Sequence, residues 1–231
     1  MKHEHSHHHQ KNEEKSEVVV NAAYTSGKVT IKVRDKNNKS VPLAKSHGKK
    51  MHLVIIRADL ETFLHAHPIE NHSEDFEAAL ELLPGQYVAF VDINPVDMAY
   101  VIEPLSITVG EATALPPIDW GILEESDSST KEAKGKTVTF QHPELVVGEP
   151  ATLTFDLNGE RPLPYLGALG HVVVVDEQGT RFIHVHPVSE DQTVFEAQFP
   201  SPGFYKLWVE FKFADTGVID FPFIVKVAER S

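Results

Sequence analysis

No cysteine occurs in the 231 residues. Disulfides, thiolate metal sites and cysteine nucleophiles are therefore excluded, while the redox compartment stays open. Positive charge is scarce as well: 21 Lys and Arg face 34 Asp and Glu, a formal net charge of −13. So acidic a chain is poorly suited to approach a polyanion, and nucleic acid is not expected as a partner. No apolar run reaches the roughly 20 residues needed to cross a bilayer as a helix. Against these absences stands a globular balance of 41% hydrophobic and 24% charged residues. There are also 15 Pro and 13 Gly punctuating short apolar runs, and 14 His.

Residues 1–17 hold five histidines, many charges and almost nothing apolar. Such a segment cannot bury enough surface to fold and reads as a disordered arm. From Val18 onward, short β-type runs (18–20, 29–33, 53–56, 87–91, 107–109) alternate with Pro, Gly, Asn and Asp clusters, the punctuation of a sandwich. No stretch shows a sustained helical period; 77–83 comes nearest. The sequence then repeats itself. Met51-His52-Leu53-Val54-Ile55-Ile56 matches Gly170-His171-Val172-Val173-Val174-Val175, 119 positions later. Phe63-Leu64-His65-Ala66-His67-Pro68 matches Phe182-Ile183-His184-Val185-His186-Pro187 at the same offset. Pro84-Gly85-Gln86-Tyr87 matches Pro202-Gly203-Phe204-Tyr205 at 118. The expected organisation is an arm (1–17), a first repeat (18–110), an acidic linker (111–135) and a second repeat (136–231). Each repeat has the size and strand rhythm of an immunoglobulin-like or cupredoxin-like β-sandwich. The fold class is thus all-β, two tandem β-sandwich domains from an internal duplication. Tyr87 and Tyr205 read as corner tyrosines whose phenols bond a backbone group upstream.

The histidines carry the functional argument. If 51–68 is a hairpin with Ala58-Asp59-Leu60-Glu61 as its loop, cross-strand partners have numbers that sum to 119. His52 then faces His67, and His65 lies on the same side of the pleat. Opposed Cβ atoms sit about 5 Å apart and diagonal ones about 7–8 Å. Three imidazoles can therefore converge on one ion with bonds of about 2 Å. In the second repeat the loop Glu177-Gln178-Gly179-Thr180 groups His171, His184 and His186 in the same way.

Asp92 and Glu210 follow aligned strands, 40 and 39 residues after the first histidine of each triplet, and are candidate carboxylate ligands. Alternation, however, puts Glu210 on the face of Lys206 and Trp208, which Lys206 marks as outward; a bulge would be needed to turn it in. Imidazole and imidazole–carboxylate sites suit Zn, Cu(II), Ni or Fe(II), and the missing thiolate closes the blue-copper option. The expectation is one Zn or Cu(II) ion per repeat. A plainer alternative stays open: His-x-His on a strand also packs and hydrogen-bonds, and a duplication copies structural residues as faithfully as ligands. In the arm, His3, His5, His7, His8 and His9 would act as a flexible chelator. If Met1 is a free amino terminus, His3 would help build a square-planar Cu(II) or Ni(II) site. His47, His72 and His142 have no counterpart in the other repeat and read as surface residues.

The order of His52, the Phe63–Pro68 motif, the Pro-Gly-x-Tyr turn and Asp92 resembles bacterial secreted proteins and lipoproteins with YtkA-like and copper-resistance-type immunoglobulin-like domains. The resemblance covers 51–92 and 170–210. It implies a cell-envelope module that handles heavy metals, with the histidine triplets as ligands. The leading expectation for function is a non-enzymatic protein that buffers or delivers Zn or Cu. No methionine-rich copper(I) motif is present, so a copper(I) chaperone is not implied. The first 17 residues are too charged for a signal peptide. Mature lipoproteins often begin with such a tether, which allows a lipid anchor at the amino terminus, with Met1 where the modified cysteine would stand. A cytoplasmic chain with a His-rich start is the other option. Two further functions remain open. One is a protein-interaction module with structural histidines. The other is a metalloenzyme whose three histidines leave one coordination position open, although the cupin ligand order is not matched.

Overall fold

The computed structural model describes residues 15–46, 48–111, 115–183 and 185–230. The first repeat consists of β1 (Val18–Thr25), β2 (Lys28–Asp35), β3 (Leu43–Ala44), β4 (Met51–Arg57), β5 (Phe63–Ala66), β6 (Ile69–Glu70), β7 (Phe76–Ala79), β8 (Gly85–Pro95) and β9 (Leu105–Val109). A short helix, α1 (Trp120–Ser126), follows. The second repeat has β10 (Thr130–Ala133), β11 (Lys136–Gln141), β12 (Leu145–Val146), β13 (Pro150–Asp156), β14 (Gly170–Asp176), β15 (Phe182–Ile183), β16 (His186–Pro187), β17 (Val194–Gln198), β18 (Gly203–Phe213) and β19 (Gly217–Ala228). In the first repeat the sheet β1-β2-β7-β6 faces the sheet β3-β8-β4-β5, with β9 also on β8. In the second, β10-β11-β13-β17-β16 faces β12-β19-β18-β14-β15. The expected all-β architecture of two tandem immunoglobulin-like sandwiches is what the chain adopts.

The structure adds detail at two boundaries and within the linker. Ser16 and Glu17 already bond to the first sandwich: the Glu17 amide donates to the Ala99 carbonyl and the Ser16 hydroxyl accepts from the Val101 amide. The second sandwich begins before 136, since β10 pairs with β11. The linker also holds α1, a single capped turn and more: the Asp119 carboxylate accepts from the Ile122 amide, a bond that local Asp-to-backbone chemistry supplies without any long apolar period.

Strand alternation fills each sandwich in the ordinary way. In β2, Val29, Ile31 and Val33 point inward between exposed or half-exposed neighbours. The corner tyrosines behave as expected: Tyr87 Oη donates to the Leu83 carbonyl and Tyr205 Oη to the Ser201 carbonyl, each at 2.8 Å. Both hairpin registers are also as expected. Val54 pairs with His65 and Leu53 with Ala66; in the second repeat Val174 pairs with Ile183 and Val175 with Phe182. Their loops share a left-handed residue at equivalent places, Leu60 (φ 60°) and Gly179 (φ 66°). Leu60 accepts that strain while burying its side chain.

β4, β14 and β18 break the alternation. Residues 51–56, 172–176 and 205–211 are buried without interruption, so these strands are covered on both faces. The cover is the other repeat. Val54, Ile56 and Phe90 from the first repeat pack with Val173, Val175 and Trp208 from the second in a third apolar core. The contact is reciprocal. Phe63 stacks on Trp208 (centroids 4.9 Å apart), and Phe182 lies against Phe90 (5.7 Å). Phe63 and Phe182 are equivalent in the duplication, as are Phe90 and Trp208, so each repeat presents the same patch to the other. This is the self-complementarity of a two-fold interface, built within one chain.

Candidate metal centre

The histidine-bearing ends of β4 and β14 meet at this junction. His52 and His171, equivalent in the duplication, face each other with parallel rings 5.5 Å apart. His65 reaches in from β5 and stacks on His171 at 4.7 Å. The ligand nitrogens of His52, His65 and His171 all lie within 4.8 Å of one another. The grouping therefore crosses the repeats, whereas the sequence groups them by repeat. The reason is tertiary: the faces that carry these residues turn away from their own sandwich core and onto each other.

Hydrogen bonds orient the rings. His52 Nε2 lies 3.0 Å from the Ser46 carbonyl. A carbonyl only accepts, so this nitrogen carries the proton and Nδ1 presents a lone pair. His65 Nδ1 lies 2.5 Å from Glu210 Oε2, across the repeat boundary, with the imidazole wholly enclosed and the carboxylate 7% exposed. A carboxylate accepting from Nδ1–H leaves His65 Nε2 as the second lone pair. These two lone pairs, His52 Nδ1 and His65 Nε2, face each other at 3.2 Å. Two acceptors cannot hold that distance unaided; a proton or a cation must lie between them. Two nitrogens bound to one tetrahedral ion at 2.0–2.1 Å stand about 3.3 Å apart. The residues present fit a transition metal with imidazole ligands.

Glu210 is thus inside the site, though not as a ligand through the oxygen that His65 engages: it sits on the outer nitrogen and fixes the ring, the usual place of a carboxylate behind a metal-bound histidine. Lys206 does not mark an outward face. Lys206, Trp208 and Glu210 are all buried against the first repeat, where the Lys206 ammonium lies 3.6 Å from Glu61. Asp92 stands opposite His52 in the β4–β8 ladder, as Glu210 stands opposite His171 in β14–β18, but it is outside the three-nitrogen group. Together with burial its charge raises the Tyr100 phenol pKa, as Glu210 does for Tyr165.

His67 lies beside the group, its ring 4.9 Å from that of His52 and 4.7 Å from that of His65. Burial first, then the charges of His65, His52 and Lys49, push its pKa down to about 3, so the imidazole is neutral. His186 takes another course. It is exposed and pairs with Glu196 in the opposite sheet. His184, His47 and the arm histidines lie outside the described residues. The Ser46 carbonyl and Tyr165 carry no sequence signal; only their common place in the duplication, each closing a bridge three residues long (Ser46 with Lys49, Tyr165 with Ala168), points to them.

Fold and site together define a tandem β-sandwich protein with a histidine cluster at the junction of its repeats. The chain belongs to the family described as "Domain of unknown function (DUF8832)", which it matches twice, over 13–111 and 131–229. Similar solved structures include a two-domain fibronectin type-III segment of chicken tenascin, 14% identical, covering 91% of this chain and 98% of that one, with a TM-score of 0.29. The Yersinia pseudotuberculosis adhesin InvE is also 14% identical, covering 91% and 58%, with a TM-score of 0.23. No curated protein matches the chain.

Proposed function

We propose that this protein binds one transition-metal ion, Zn or Cu(II), between its repeats, through His52 Nδ1, His65 Nε2 and His171, and that it buffers or delivers the ion without catalysing a reaction. One observation carries this reading: the 3.2 Å approach of two imidazole nitrogens whose outer nitrogens are already engaged by Ser46 and Glu210. A bound ion would take the place of the proton that the two nitrogens otherwise share. Burial of His52, at 2% exposed, favours retention over rapid exchange. By the resemblance of its motifs the place of work is the cell envelope, with a lipid anchor at the amino terminus.

The test is titration of the metal-free full-length chain with Zn and Cu(II), read by calorimetry and by elemental analysis after dialysis. One ion held far more tightly than those on the arm histidines is expected, and it is lost in His52→Ala with His171→Ala. Unchanged tight stoichiometry in that double variant overturns the reading. A second reading, docking of a protein partner, draws on Ile69 and Val188, apolar residues exposed at equivalent places in the two repeats (76% and 50%).

A further inference from the structure

We infer that His67 supplies the fourth ligand, so that the ion is held by four imidazoles, three from the first repeat and one from the second, with both carboxylates outside the coordination sphere. The inference rests on the metal-site reading above and says which residue completes it. Among the described histidines of the cluster, His67 has a buried Nε2 that meets no hydrogen-bond partner. A buried ring nitrogen without a partner costs free energy that a bond to an ion restores.

The packing agrees. Imidazoles bound to one tetrahedral ion have centroids about 5.2 Å apart, from bonds of about 2.05 Å and the ring's own radius. Five of the six pairs among the rings of His52, His65, His67 and His171 stand 4.7–5.5 Å apart: His52 with His65, His67 and His171, and His65 with His67 and His171. The carboxylates do not compete. Glu210 is held by the far nitrogen of His65 and Asp92 is already engaged, whereas His67, also outside the three-nitrogen group as it stands, has an Nε2 with no partner. A filled shell of four neutral imidazoles leaves no position for water or substrate, which is the character of a holding site rather than a catalytic one.

The experiment uses the full chain loaded with one equivalent of Co(II), a spectroscopic stand-in for Zn, and visible absorption as the readout of coordination number. Intense bands of four-coordinate Co(II) are expected for the parent protein. His67→Ala should lose that intensity and bind at least roughly tenfold more weakly, while Glu210→Gln should keep the four-coordinate spectrum with affinity reduced roughly 10–100-fold. Circular dichroism confirms that each variant is folded. X-ray absorption on the Zn-loaded parent counts the imidazoles independently of any substitution: four support the assignment and three overturn it. A four-coordinate spectrum that survives in His67→Ala overturns it too. If the parent binds no ion beyond the arm, with the His52→Ala and His171→Ala variant indistinguishable from it, the underlying metal reading fails instead.

Discussion

At the residue scale the site is a problem of protons. Ser46 and Glu210 hold the outer nitrogens of His52 and His65, and the inner pair must share a proton or a metal. Binding therefore competes with protons, and affinity for Zn should fall steeply as pH drops through about 6.5. A binding constant flat between pH 5 and 7.5 would count against histidine ligation, although His67, neutral down to about 3, contributes nothing to that slope. His67 gives a second pH dependence, in the folding of the metal-free chain. Its folded pKa lies near 3, below the value of 6.5 for a free imidazole, so the folded state favours the neutral ring. That contribution is complete above about 6.5 and is lost as pH falls toward 3. Urea midpoints of the metal-free parent should drop over that window, and those of His67→Ala should drop less.

At the element scale, each repeat is a hairpin-rich sandwich held by short, local devices. The tyrosine corners tie β8 and β18 to the turns that precede them, and each phenolic bond is worth about 0.5–1.5 kcal/mol. Tyr87→Phe and Tyr205→Phe should each destabilise by about that amount in chemical denaturation without touching metal affinity. The unpaired feature of the duplication also has a local reason. Met51 is matched by Gly170 because a Cβ at 170 would come within 2.6 Å of the Phe211 ring and 3.0 Å of the Glu210 carbonyl. Gly170→Ala should therefore displace the start of β14, and with it His171, weakening binding although residue 170 has no ligand atom. Most of this scale was legible beforehand: loop length fixed both hairpin registers, and short β-type runs between turn residues marked β1 and β2. Helix α1 was not legible, because a seven-residue turn stabilised by one Asp cap has too little length to show a period.

At the scale of the whole molecule the junction between the repeats is both a core and a binding site. Removing Trp208 deletes an aromatic that is 2% exposed and stacked on Phe63, and Trp208→Ala should cost about 3–5 kcal/mol. Because the loss falls between the sandwiches, calorimetry should resolve the parent's melting into two transitions in this variant. An ion with ligands from both repeats opposes that separation. At a free concentration one hundred times its Kd it adds about 2.7 kcal/mol, enough to draw the two transitions back together.

What the amino-acid order settled by itself was everything local: the absence of thiol chemistry, the duplication, the strand rhythm, the hairpin registers and the histidines as the residues to watch. Periodicity two tells which side of a strand a residue occupies, and loop length tells what stands opposite it. Neither tells what lies beyond the sheet. The apolar runs at 53–56 and 172–175 are unbroken, as strands covered on both faces are, but nothing in them names the cover. Only the packing of one repeat on the other decided that His52 and His171 belong to one cluster, that Glu210 steadies a histidine 145 residues away in sequence, and that Lys206 lies buried. Those contacts join surfaces whose complementarity is a property of three-dimensional shape and not of any spacing along the chain.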